Sequence, residues 1–100
     1  MTVLPGTPDL AVPDLEAVAA RLVWFKPPAE ALRNPWHFLA YFFAYGTPED
    51  TRTIRRHVSD NTLREALDHA PPGIIDPRSW AYWNLILDRD PDTQPPTRRF

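Results

Sequence analysis

No cysteine occurs in the chain, which removes disulfides, thiol chemistry and thiolate-bound metal from consideration. Glycine is nearly as scarce, at three in one hundred residues. That is too few for a glycine-rich phosphate loop, and no serine stands in a nucleophile-elbow sequence. There is no alternating strand pattern bounded by hairpin turns, and no internal repeat. The N-terminal residues carry neither a basic start nor an apolar run, so no signal peptide is expected. The most apolar stretch is about half the ~20 residues needed to span a bilayer. With a formal charge of −2 and a pI near 5.8, the chain does not have the electrostatics of a protein that coats nucleic acid. A soluble, cytoplasmic protein is expected.

Proline, by contrast, is abundant: thirteen residues against an average of about 5%. Pro5, Pro8 and Pro13 fall near the N-terminus and Pro91, Pro95 and Pro96 near the C-terminus. The others stand at points that read as helix junctions, because proline breaks helix interiors and is accepted in the first turn. Aromatic residues concentrate between two such markers. Residues 35–46 hold six aromatics between Pro35 and Gly46, so this helix is apolar nearly all round and is expected to be buried on nearly every side.

The remaining helices follow from periodicity and caps. Asp14 reads as an N-cap for an amphipathic helix with Leu15, Val18, Ala19, Leu22 and Val23 on one face, extended by Trp24 and Phe25 and stopped by Lys26-Pro27-Pro28. A short turn follows, with Ala31 and Leu32 inward. Asn34 and Pro35 open the central helix, and Gly46 suits a left-handed C′ position. Thr47-Pro48-Glu49-Asp50 is a cap, a proline at N1 and acids in the first turn. Its helix is polar but for Thr51, Ile54 and Val58. Thr62 with Glu65 forms a capping box, with Asp60 as an alternative cap, ahead of Leu63, Ala66, Leu67 and Ala70. Ile74 and Ile75 plug the core, and Asp76-Pro77 opens a last helix through Trp80, Tyr82, Trp83, Leu85, Ile86 and Leu87. The expectation is an all-α, compact bundle of about five helices around the aromatic one: an extended arm over 1–13, a helical domain over 14–88, and a flexible proline-rich tail over 89–100.

Chemistry is sparse. His37, His57 and His69 lack the i, i+4 spacing of a helical zinc motif and have no acidic residues clustered locally, so no metal is expected. Asp14, Glu49, Asp50, Asp60 and Asp76 are accounted for by capping and first-turn placement, which leaves no carboxylate for acid–base work. The chain is therefore expected to be non-enzymatic and to need no cofactor. What remains is binding. Arg52, Arg55 and Arg56 cluster on one helix, and with Arg64 they admit a helix-turn-helix reading that contacts DNA. Glu65 and Asp68 on the second helix oppose it. Four tryptophans and the enrichment of aromatics and arginine at binding hot spots make Trp80 a candidate anchor for a protein partner, with Trp36 and Trp83 read as core and Tyr82 and Ile86 extending the apolar surface elsewhere.

Phe38-Leu39-Ala40-Tyr41, Tyr45-Gly46-Thr47-Pro48-Glu49-Asp50, Leu63-Arg64-Glu65-Ala66-Leu67 and Asp76-Pro77-Arg78-Ser79-Trp80-Ala81-Tyr82-Trp83 occur in an order that resembles a family of small bacterial helical proteins. Members of that family are encoded beside nucleotidyltransferase toxins of the AbiEii/AbiGii type. The likeness covers residues 35–87, and it departs at Pro48, where relatives carry a bulky aromatic. The resemblance implies an antitoxin-like partner that neutralises a cognate nucleotidyltransferase by direct contact. Arg52, Arg55 and Arg56 would meet the toxin's metal-binding carboxylates, and Trp80 and Tyr82 would form the desolvated centre. The alternatives are a DNA-binding repressor of its own operon and a structural adaptor.

Overall fold

Proline sets the punctuation of this fold. The computed structural model describes Leu10 and residues 12–89, so most of the expected arm and the tail beyond residue 89 lie outside the described residues. Six helices and no strand are found among them: α1 (Pro13–Leu22), α2 (Pro28–Leu32), α3 (Pro35–Tyr45), α4 (Pro48–His57), α5 (Asp60–Asp68) and α6 (Pro77–Ile86). All but α5 carry a proline in the first turn, where the missing N–H would have had no helical partner. The bundle is all-α, as the sequence pattern indicates. The five long helices are joined by the short α2, whose Ala31 and Leu32 are buried.

Several caps form as read. Asn34 accepts from the His37 amide, Asp76 from the Ser79 amide, and Thr47 closes a reciprocal capping box with Asp50. Two do not. Pro13 occupies the first position of α1, so Asp14 falls inside the helix and Val12 caps without its side chain. In α5 Ser59 is the cap, accepting from the Thr62 amide at 3.2 Å; the helix starts earlier than the Thr62–Glu65 box requires, which leaves Asp60 in the first turn. The end of α1 also differs. Pro27 and Pro28 supply no N–H to the carbonyls of Val23 and Trp24, so the helix unwinds from Val23 and the Lys26 amide turns back to the Val23 carbonyl at 3.2 Å.

Packing centres on α3, which lies against α1, α2, α5 and α6, while α4 packs on α1. Phe38, Leu39, Ala40, Phe42 and Phe43 of α3 are buried, together with Leu15, Val18, Ala19 and Val23 from α1 and its end, Ile54 and Val58 from α4 and its end, and Leu63, Ala66 and Leu67 from α5. Leu10 is also buried and Val12 packs on the core, so the chain is anchored ahead of α1. From the other end, Ile75 and Leu87 are buried and Ile74 is partly so. Trp83 joins α6 to α3: its ring lies 5.2 Å from that of Phe42 and 5.1 Å from that of Phe43, and its indole N–H donates to the Phe43 carbonyl at 3.2 Å. That carbonyl is in the last turn of α3, where no helical N–H reaches it.

Only five of the eleven aromatics among the described residues belong to the buried core: Phe38, Phe42, Phe43, Trp80 and Trp83. Each contributes roughly 1.5–3 kcal/mol by burial. Trp24 and Phe25, read as core payload, are exposed at 80% and 48%, because they sit on the unwound turn after α1 and not on its buried face.

Gly46 does not adopt the left-handed conformation expected of it; its φ of −67° and ψ of 147° are extended, leading straight into the Thr47 cap. The glycine is required for space. A Cβ there would lie 2.6 Å from Cδ1 and 2.9 Å from Cε1 of Phe42. Among the described residues the left-handed positions are Gly73 and Asp88. At Asp88 the Arg89 amide donates to the Asn84 carbonyl at 2.8 Å and the Asp88 amide to that of Leu85 at 3.2 Å, a Schellman closure of α6. Arg89, assigned to the tail by composition, is thereby part of the folded unit. Gly46→Ala is expected to lower the unfolding free energy by about 1–3 kcal/mol by overpacking against the Phe42 ring. Urea unfolding with an unchanged m-value measures this.

Candidate partner-binding surfaces

The arginine cluster begins with the way α4 is held. This helix has a thin apolar stripe, and polar contacts to α1 supply much of the rest. Asp50 is almost fully buried at 1% exposure. Its carboxylate accepts from the Thr47 amide at 3.0 Å and from the Arg21 guanidinium of α1. Burial pushes the Asp50 carboxyl up, but hydrogen bonds from Arg21 and Thr47 and the Arg21 charge more than offset this, so it is held below the usual carboxylate value. At the other end of α4, His57 Nε2 lies 3.0 Å from Asp14 Oδ2. Asp50 therefore does two things, completing the α4 capping box and pairing with Arg21 of α1, while Asp14, in the first turn of α1, pairs with His57 of α4; local spacing reveals neither cross-helix pairing.

With Ile54 turned inward, Arg52, Arg55 and Arg56 fall on the opposite arc of α4, at about 100° per residue, and all three are exposed. They are not equivalent. Arg55 is tied to Asp60 of α5 through Nε–Oδ1 at 3.2 Å and Nη2–Oδ2 at 2.9 Å. Arg56 borders a polar cleft of about 330 Å³ between α1 and α4, with Arg21, Glu49, Asp50 and Asp14. Neither Arg52 nor Arg56 forms an ion pair among the described residues. Thr53, the hydroxyl in this cleft, donates to the Glu49 carbonyl at 3.2 Å. Among the described residues no group of three or more His, Asp or Glu is arranged to hold a metal ion.

The two aromatic candidates separate. Trp80, expected at an interface centre, is buried at 5%, with the Arg89 guanidinium 5.6 Å from its ring centroid. Helical phase puts Trp80 on the inward face with Trp83, three residues on. It therefore shapes the surface from beneath and is not presented on it. Tyr82 is 55% exposed, and with Leu85 at 78% and Ile86 at 41% it forms an apolar outer face on α6. A groove of about 420 Å³ runs between this helix and the start of α4, lined by Thr47, Pro48 and Thr51 on one side and Arg78, Tyr82 and Trp83 on the other. Thr51 stands one turn before Arg55, so the groove lies on the Arg55 flank of α4, and Arg56 on the flank towards α1.

No family model matches the chain, and no curated protein or solved structure is similar to it.

α5, the second helix of the DNA-binding alternative, exposes Glu65 and Asp68; its own Arg64 is engaged by the Leu87 carbonyl and Asn61, Asp68 pairs with Arg89, and Arg55 of α4 is neutralised by Asp60. An acidic helix face weighs against contact with phosphates. No helix among the described residues is long and apolar enough to cross a membrane.

A third surface was not anticipated. Trp24, Phe25, Tyr41 and Tyr45 form a chain of ring contacts on the open side of α3, with centroids 5.8, 5.7 and 6.1 Å apart, and His37 meets Tyr41 at 5.0 Å. Its signal in the sequence is the i, i+4 series His37, Tyr41, Tyr45, which shares one stripe of the helix.

The Arg21–Asp50 contact gives a pH dependence with a definite sign. A carboxyl with a depressed folded pKa adds stability that is fully present above its unfolded value of about 3.9 and is lost as pH falls through the folded value. Urea unfolding of the native chain is therefore expected to weaken in acid. Asp50→Asn is expected to flatten that limb and to cost about 1–3 kcal/mol at neutral pH, with a residual slope from Asp76, whose carboxyl is also lowered by its bonds to Ser79.

Proposed function

We propose that this chain is a non-catalytic, antitoxin-like protein of the bacterial cytoplasm that binds a cognate nucleotidyltransferase and neutralises it by contact. The observation that carries the reading is the pair of outer faces on α4 and α6: exposed arginines free of ion pairs, Arg52 and, at the edge of the cleft towards α1, Arg56, and across a groove from the start of α4 the exposed Tyr82 of α6. An acidic, metal-binding cleft is the complement of such a surface. Unpaired arginines supply steering and bidentate contacts to carboxylates, while Tyr82, Leu85 and Ile86 supply apolar area that desolvates the centre. Arg55 is a weaker contributor, since a partner's carboxylate must compete with Asp60. Trp80 acts by supporting the α6 face from beneath.

The test is co-expression with the product of the adjacent gene, followed by purification and binding measurements. A complex is expected at micromolar concentration or below. Reversing charge with Arg52→Glu and Arg56→Glu should weaken it by at least about tenfold, mainly by slowing association and reducing its salt dependence. Tyr82→Ala should accelerate dissociation by a similar factor or more. Failure to form any complex at micromolar concentration contradicts the proposal, as does a complex indifferent to all three substitutions.

A further inference from the structure

The open side of α3 is an incomplete wall. This helix contains no Asp, Glu, Lys or Arg in its eleven residues, and α1, α2, α5 and α6 enclose it on its other sides. What stays open is a row made of the exposed Tyr45 with the half-buried His37, Tyr41 and Ala44 of the same side, continued sideways by the exposed Phe25 and Trp24 from the turn after α1. His37 adds no charge at neutral pH, since burial, and then the Lys26 charge, hold its imidazole below the ordinary value. A helix apolar nearly all round calls for a covering partner here too.

We propose that a second copy of this chain covers the row, giving a two-fold symmetric dimer in which α3 of each protomer packs on α3 of the other. The area fits. Trp24, Phe25 and Tyr45 are 80%, 48% and 66% exposed, which at ~150–250 Å² per aromatic side chain leaves on the order of 400 Å² of ring surface open on each copy. Two copies contribute about 800 Å², and partly exposed Tyr41 and Ala44 with the rim residue Lys26 bring the total towards the ~1,200 Å² at which specific interfaces begin.

Shape and charge also favour a copy over other occupants. His37, Tyr41 and Tyr45 form an i±4 ridge, and ridges of this class from two helices interdigitate. The near-perpendicular rings of Trp24 and Phe25, at 87°, present a face next to an edge, which an inverted copy meets with an edge and a face. Among the described residues the cation whose charge reaches the row is Lys26, at His37, and a single lysine is neither a basic track for single-stranded nucleic acid nor a cluster for an acidic peptide. A net charge of −2 on each chain gives little repulsion between copies.

Sedimentation velocity of the full chain, from low micromolar to submillimolar concentration, tests this. The weight-average mass is expected to rise from one chain towards two. Trp24→Ser with Tyr45→Ser should raise the dimer dissociation constant at least about tenfold, with the circular-dichroism melt of the monomer retained because both side chains are largely exposed. Tyr45→Ser alone should give an intermediate shift. Leu85→Ser with Ile86→Ser on α6 should leave the dimer intact. A chain that stays monomeric at every concentration overturns the proposal. So does a dimer lost through the α6 pair and not through Trp24 and Tyr45.

Discussion

The enclosure of α3 is the constraint on which the rest of the structure depends. A helix that presents Phe38, Leu39, Phe42 and Phe43 over one broad arc cannot be stable on a surface, and α1, α2, α5 and α6 are arranged by what they must cover. Trp83 is the tightest of these connections. Its ring packs on two phenylalanines while its N–H satisfies a carbonyl at the C-terminal end of α3, so one side chain contributes both area and a helix cap. Because Trp83 fixes the rotation of α6, it also decides that Tyr82, Leu85 and Ile86 face outward.

α4 is held on different terms. Its apolar stripe is thin, and polar contacts near both ends tie it to α1: Arg21 to the buried Asp50, and Asp14 to His57. Arg21 remains more than half exposed, so solvent screens part of the attraction. What gives the Asp50 contact weight is the cost of leaving that carboxylate buried without its guanidinium. The same attachment turns Ile54 inward and the arginines outward, so the residues proposed to meet a partner are positioned by a contact on the opposite side of their helix.

Features governed by neighbours in the chain were legible in the sequence. Proline at N1 with Asn34, Thr47 or Asp76 before it identified three helix starts, and the apolar stripes of α1 and α5 fell where periodicity placed them. Features that needed the third dimension were not. Asp14 looked like a cap because its partner His57 lies 43 residues away. Trp80 and Tyr82 are near neighbours on one helix, and only the position of α3 determines which ring is buried. Trp24 and Phe25 continue the apolar run of α1 in sequence, but the Pro27-Pro28 pair unwinds the chain beneath them and leaves both rings in solvent. Gly46 suits a left-handed helix end by sequence, but its backbone is extended, and it is the close approach of Phe42 that excludes a Cβ.

The functional account places partner binding on the outer faces of α4 and α6, not in the polar cleft between α1 and α4. Hydrogen exchange of the chain alone and in complex with the product of the adjacent gene tests that placement most directly. Slower exchange is expected over residues 48–57 and 77–86, with α2 unchanged. A complex that forms while neither segment is protected, or that protects only α1 and α2, would contradict it.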